Sequence, residues 1–147
     1  PRARVGVRVK EKDVMEALDL ANVGAEWGQG IRSGWLTSFE LACRNELDEF
    51  VTIGRVGTGL KELEEEGLSF GALTELLKQH IEVEQGKLVN VHPAIVVEVA
   101  YEEIQKSPSY TSGYALRFPR ILRNRTDERG PDDVTTLSYV EQLYNQQ

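Results

Sequence analysis

The segment GYALRFPRILRNRTDERG, residues 113–130, holds Arg117, Arg120, Arg123, Arg125 and Arg129, five of the eleven arginines of a chain whose net charge is −7. A guanidinium offers a planar fork of donors that suits carboxylate and phosphate oxygens. Each charge-assisted hydrogen bond is worth about 1.5–3 kcal/mol, so three together give useful affinity for an anion. On a strand, residues two apart share a face. Arg117, Arg123 and Arg125 then have one parity and Phe118 and Arg120 the other, unless Pro119 introduces a bulge. Two oppositely directed arginine sets are poor core material, because burying a charge without a partner costs several kcal/mol. Two readings stay open on pattern: a surface strand salt-bridged to an acidic body, or a ribbon that meets phosphate.

Other candidates are weaker. GRVGTG, residues 54–59, has the glycines of a phosphate loop, but Leu60 stands where Lys-Ser/Thr is needed. GAEWGQG, residues 24–30, lacks a strand–helix–strand context, and both segments read more simply as hairpin turns. His80 and His92 have no Cys or His partners at metal spacing, and no metal site is expected. No Ser-His-Asp elbow is visible, and carboxylates are too abundant for one acid–base pair to stand out. ELEEEG, residues 62–67, reads as a solvated helix face. Cys43, the single cysteine, lies in the apolar FELAC and reads as a small buried hydrophobe; with no internal disulfide possible, the chain fits a reducing, cytoplasmic setting.

These residues need elements to position them. The 147 residues amount to one domain or slightly more. No apolar run approaches the ~20 residues of a membrane span. The chain starts at Pro1, which suggests a piece of a longer protein. Charge is uneven: residues 1–12 carry +4, residues 13–106 hold seven basic and eighteen acidic side chains, and residues 107–129 return to +3. DLANVGAEWGQG, GWLTSFELAC and EFVTIGRVGTG predict three strands of an antiparallel meander. KELEEEGLSFGALTELLKQH predicts a short helix, a turn, and a second helix over about 69–79. KLVNVHPAIVVEVAYEEI returns to strand, with His92-Pro93 at a turn or strand start, and YALRFPRILRNR is the last strand. DDVTTLSYVEQLYNQQ predicts a helix with a stripe of Val134, Leu137, Val140, Leu143 and Tyr144, capped by Asp133 or Thr135. The predicted fold is mainly β: a five-stranded Greek-key barrel of the OB type, with inserted helices and a C-terminal helix. A generic antiparallel α+β domain fits nearly as well.

The words VEVAYEEIQKSPSYTSGYALRFPRILRNRTD, LDLANVGAEWGQGIRSGWLTSFELA, FVTIGRVGTGL and DDVTTLSYVEQLYNQQ resemble the C-terminal OB domain of ATP-dependent DNA ligases of the archaeal and eukaryotic kind, in one order over residues 4–147. The resemblance implies a role in replication, repair and recombination, sealing nicks in three steps: a lysine takes AMP from ATP, the AMP passes to the 5′-phosphate, and the 3′-hydroxyl displaces it with Mg2+ assisting. The nucleophile belongs to a Lys-x-Asp-Gly motif in a preceding nucleotidyltransferase domain, and no such tetrapeptide occurs here. Residues 1–17 are then the end of that domain and 18–147 the OB domain, inactive alone and with no cofactor bound. Lys10 and Lys12 match the fifth nucleotidyltransferase motif and are implied to lie against the AMP phosphate, although Arg8 and Val9 replace its usual preceding hydrophobes. RTDERGP matches the end of the sixth motif, Arg-x-Asp-Lys, through Arg125 and Asp127; the lysine is missing, and Arg129, one position late, is taken to replace it at the ATP phosphates.

On DNA, the resemblance places Phe118 against minor-groove sugars beside the nick and Arg117 and Arg120 on nearby phosphates, with Gly57, Thr58, Gly59 and Lys106 as further backbone contacts. The implied partners are nicked duplex DNA, the protein's own nucleotidyltransferase and N-terminal DNA-binding domains, and a sliding clamp through domains absent here; the piece itself is expected to be a monomer away from membranes. The alternatives are a stand-alone nucleic-acid-binding OB module and the OB domain of an RNA ligase or capping enzyme; ALRFPR favours the DNA enzymes.

Overall fold

The computed structural model describes residues 17–30, 33–57 and 70–147. The expected helix within 61–66, Lys10, Lys12, Thr58 and Gly59 lie outside them. Among the described residues no helix is long and apolar enough to cross a membrane.

Among the described residues, nine strands and two α-helices follow in the order β1 (Leu18–Trp27), β2 (Leu36–Arg44), β3 (Phe50–Val56), α1 (Phe70–Lys78), β4 (Ile81–Gln85), β5 (Leu88–Val91), β6 (Val96–Ala100), β7 (Glu103–Lys106), β8 (Tyr114–Arg117), β9 (Arg120–Asn124) and α2 (Leu137–Gln146). The first three form the expected meander: β1 pairs β2 and β2 pairs β3, all antiparallel. On its other side β1 is shared, with Leu18–Ala21 against β6 and Gly24–Glu26 against β5. Asn45 shapes the β2–β3 turn by accepting from the amides of Leu47 and Glu49, both at 2.9 Å. Asp48 there adopts φ 62°, a left-handed conformation that Asp tolerates better than most residues.

The expected long strands 87–104 and 114–125 each break. β6 pairs β9 and β7 pairs β8, so the two pairs form one bent ribbon whose corners are Tyr101-Glu102 and Phe118-Pro119. Counted as two bent strands, these join β1, β2 and β3 to make five. Closure comes from a clasp between β3 and the loop before β8. Thr52 donates its amide to Thr111 Oγ1 at 2.7 Å, Thr111 returns its own amide to Thr52 Oγ1 at 2.9 Å, and the Ser112 amide donates to the Thr52 carbonyl at 3.0 Å. This is the OB barrel. The β4–β5 hairpin, turning at Gly86 with φ 62°, is an addition that the sequence reading passed over.

The barrel is filled by Leu18, Leu20, Phe39, Leu41, Ile53, Val97, Val99, Ile104 and Ile121, all at most 1% exposed. Helix α1 seals one end with Leu73 and Leu77, and its Thr74 hydroxyl accepts from the Leu36 amide at 2.8 Å. Helix α2 begins at Leu137, later than expected, because Pro131–Asp133 forms a separate 3-10 turn. Its cap is Thr136, whose hydroxyl accepts from the Tyr139 amide, and neither Asp133 nor Thr135. Thr135 is engaged elsewhere, accepting from the Asp19 amide at 3.1 Å. Val134 leaves the predicted helix stripe and joins Ala21 and Val96 in a small second cluster.

Candidate functional site

Strand β9 carries Arg120 and Arg123, with Arg117 on β8 and Arg125 and Arg129 after β9, in an arrangement different from simple alternation. Val99 faces Ile121 and Glu98 faces Arg123, so Leu122 is an extra residue, a bulge. The bulge resets the parity. Ile121 points into the core, and Arg120 and Arg123 both emerge on the outer face, which corrects the expectation that they diverge. The change of direction occurs instead at Phe118-Pro119, where the chain passes from β8 into β9. Two clusters result, one at each end of the outer face of β9, about 15 Å apart at strand rise.

The first cluster sits on the corner. Phe118 is 61% exposed and has φ 50°, a conformation that bulky residues avoid because Cβ approaches a backbone oxygen. Arg117 lies over its ring at 5.1 Å, and a shallow recess joins Phe118 and Pro119 with Tyr101, Glu102 and Arg120. Arg117 approaches Glu102 at 3.9 Å and Glu103 at 3.7 Å, both loose and exposed, and such pairs are worth at most about 1 kcal/mol. Among the described residues Arg120 is exposed and has no carboxylate within ion-pair distance.

The second cluster is built on facing carboxylates. Asp19 and Glu98 stand directly opposite on β1 and β6, a like-charge juxtaposition that requires cations nearby. Arg123 donates from Nε to Glu98 Oε1 at 2.8 Å, and that hydrogen bond holds its guanidinium more firmly protonated than usual. Arg125, 14% exposed, places Nη1 at 3.6 Å from Asp19 Oδ1 and 3.7 Å from Glu98 Oε2. Its Nε is 2.6 Å from Glu128 Oε1, yet off the N–H direction, so this buried donor has no hydrogen bond. Arg129 places Nε at 3.3 Å from Asp19 Oδ2. One carboxylate therefore bridges Arg125 and Arg129.

The turn between these two is fixed. Glu128 and Arg129 both donate their amides to the Arg125 carbonyl at 2.8 Å. Thr126 anchors it: its hydroxyl donates to Asn124 Oδ1 at 2.6 Å and accepts from the Val96 amide at 3.1 Å. Asp127 is exposed on the turn, where it makes no ion pair among the described residues.

Two other predicted contacts are not part of either cluster. Lys106 is four residues from the corner along β7, with its ammonium 5.8 Å from the Tyr144 ring. Gly57 is explained sterically, because a Cβ there would meet the Thr37 carbonyl at 3.0 Å. Sequence reasoning missed Asp19, Glu98, Glu128 and Thr126. Nothing local distinguishes Asp19 and Glu98 from the chain's other acidic side chains, and strand pairing selects them, whereas the local turn brings Glu128 to Arg125. Four of the five arginines thus have carboxylate partners, as the surface-strand reading expects, but most of those contacts are long.

A sequence model described as the ATP dependent DNA ligase C terminal region matches residues 32–128. The chain belongs to that family. A DNA ligase of Nanoarchaeum equitans is 53% identical over 150 residues, covering 100% of this chain and 26% of the relative. A DNA ligase of Archaeoglobus fulgidus is 51% identical over 142 residues, covering 95% and 24%. The chain therefore spans about a quarter of the length of the curated relatives it matches. Among solved structures, the ligase domain from M. tuberculosis LigD superposes with a TM-score of 0.63 at 26% identity, over 82% of this chain and 38% of that one. Mycobacterial DNA ligase D complexed with ATP and MES gives 0.59 at 23% identity, over 83% and 38%, a likeness of fold. As a C-terminal region of an ATP-dependent ligase, the chain is an OB domain of that enzyme family, which favours the ligase reading over a stand-alone module.

Proposed function

We propose that this chain is the mobile OB domain of a nick-sealing DNA ligase and that its two arginine clusters serve different steps. Arg125 and Arg129, with Lys10 and Lys12 from the preceding segment and Asp127 on the turn, orient the phosphates of ATP while a lysine of the nucleotidyltransferase domain is adenylated. Arg117, Phe118 and Arg120, with Gly57, Thr58, Gly59 and Lys106 as outlying backbone contacts, engage the minor groove of nicked duplex DNA when the ends are joined. In this division, residues 1–17 close the nucleotidyltransferase domain and residues 18–147 form the OB domain. Phosphoryl transfer is mostly positioning and charge stabilisation, which guanidinium donors supply.

A carboxylate bridging Arg125 and Arg129 speaks for this pair as a phosphate seat, since both anions present paired oxygens to a guanidinium fork. ATP arrives with Mg2+, which the reaction assigns to the phosphates and the nucleotidyltransferase domain rather than to this chain. The partners are nicked DNA and the protein's remaining domains, wherever DNA is held.

The observation that carries the reading is Phe118: an aromatic ring kept in solvent at a left-handed corner between two arginines. Packing gives no reason for that arrangement, and an approaching groove gives one. The test adds this chain in trans to a separate nucleotidyltransferase domain with radiolabelled ATP and then with a nicked duplex. Stimulated lysine adenylation is expected. Arg125→Ala should slow that step and spare joining, while Phe118→Ala should do the reverse; equal damage to every step in rapid-quench assays refutes the division.

A further inference from the structure

The contacts that Asp19 and Glu98 make to Arg125 and Arg129 are long for charge-assisted hydrogen bonds. Charge-assisted N–H···O bonds run about 2.7–2.9 Å. Asp19 reaches its two arginines only at 3.6 and 3.3 Å, and Glu98 reaches Arg125 at 3.7 Å. Arg125 Nε is paired closely with Glu128 Oε1 at 2.6 Å, which leaves the loosely held Nη1 as the group facing Asp19 and Glu98. Against these stand the 2.8 Å hydrogen bond of Arg123 to Glu98 and the anchored turn at Thr126, which hold the cluster in place. Asp19 is itself fixed by its backbone: its amide donates to Thr135 Oγ1 and its carbonyl accepts from the Thr135 amide at 2.9 Å.

We propose that Asp19, assisted by Glu98, is a built-in substitute for phosphate, a positioning residue that bridges Arg125 and Arg129 with one carboxylate and competes with the polyphosphate that takes its place. This rests on the phosphate reading of the two arginines. It adds that Arg125 and Arg129 work as one seat and that the competing carboxylate sets how tightly the seat binds. Three arginines and three carboxylates (Asp19, Glu98, Glu128) leave the cluster neutral. Removing one carboxylate charge leaves it cationic and also relieves the Asp19–Glu98 repulsion.

The probe is inorganic tripolyphosphate, titrated calorimetrically into the 147-residue chain and into Asp19→Asn, Asp19→Glu and Glu98→Gln. The expected result is binding about fivefold tighter in Asp19→Asn, the weight of one partly screened ion pair, with Asp19→Glu restoring the weaker affinity. A merely structural Asp19 would give weaker binding in both variants. Nitrogen-15 spectra of the unsubstituted chain provide a check independent of folding defects: Arg125 and Arg129 Nε–Hε signals should shift together with tripolyphosphate. If the unsubstituted chain binds but Asp19→Asn and Glu98→Gln bind no tighter, or if the two signals move separately, the competition is refuted and the phosphate reading stands. If neither the unsubstituted chain nor any variant binds, the phosphate reading itself falls and takes the competition with it.

Discussion

Replacing Phe118 should separate stability from DNA binding. The ring is 61% exposed, so it hides about 80 Å2 of a side chain that buries about 200 Å2 when fully enclosed. At about 25 cal/mol per Å2 this burial contributes at most about 2 kcal/mol. The contact with Arg117 adds about 0.5 kcal/mol at such exposure. Phe118→Gly recovers about 1–2 kcal/mol of left-handed strain and gives back about 0.5–1 kcal/mol in chain entropy. The net loss should be at most about 1–2.5 kcal/mol, lowering Tm by no more than roughly 3–8 °C. Leu116→Ala, two residues away at 6% exposure, should instead cost about 2–5 kcal/mol. An aromatic contact with nucleic acid is worth about 1–3 kcal/mol, so Phe118→Gly should weaken binding to a nicked duplex by roughly 5- to 150-fold. Fluorescence anisotropy against nicked and continuous duplexes, alongside thermal denaturation, tests both halves. A folded Phe118→Gly chain that binds the nicked duplex as the unsubstituted chain does would refute the wedge. A loss of stability as large as that of Leu116→Ala would refute the claim that the fold does not need the ring.

Arg120→Ala should weaken binding to nicked DNA and flatten its dependence on the logarithm of salt by about 0.9, one phosphate contact; an unchanged slope argues against a phosphate partner. Thr136→Ala should cost about 1 kcal/mol in urea unfolding by removing the cap of α2, and Thr136→Ser should restore it, whereas Asp133→Ala should cost less. Cys43 is fully buried, and burial pushes its thiol from 9.0 up to about 12. Because the folded value is the higher one, its contribution is complete below pH 9 and declines as pH rises toward 12, by about 1.4 kcal/mol per pH unit. Unfolding of Cys43→Ala in parallel should lack that part of the slope.

The elements read most directly from sequence are those whose neighbours repeat the local signal. Strands β1 to β3 are apolar runs ended by Gly or by the Asn45 turn, and α1 shows its leucines at helical spacing, within one residue of its expected bounds. Strand β4 escaped although IEVEQ alternates apolar and acidic residues, because it is short and four of its five residues are exposed, so its pairing with β5 rather than core burial defines it. The corner at Tyr101-Glu102 carries no Gly or Pro; it exists because the facing Phe118-Pro119 bends and the paired strand must follow. The Leu122 bulge is equally silent, since register is a property of the pair and not of either strand. At α2 the sequence favours Asp133 or Thr135 as the cap, but a tertiary bond to Asp19 engages Thr135 and the cap falls to Thr136. The arginine cluster was legible, but its partners Asp19 and Glu98 were not, because β1, β6 and the 125–129 turn meet only in three dimensions.

That meeting also accounts for so many arginines in an acidic chain. Salt screens exposed charges beyond about 8 Å, so the local balance matters and the total of −7 does not. A cationic turn beside a barrel edge would repel itself, and Asp19, Glu98 and Glu128 neutralise it at contact distance. The same carboxylates must not bind too well. Had Asp19 made two short hydrogen bonds, a phosphate would have to displace about 3–6 kcal/mol of charge-assisted bonding before gaining anything. At 3.3 and 3.6 Å the cost is a fraction of that. At the corner the logic is reversed: among the described residues Arg120 has no carboxylate to release, and Phe118 stands in solvent. In the proposed division of labour, one end of β9 is restrained by competition and the other is open, which suits two anionic partners met in succession.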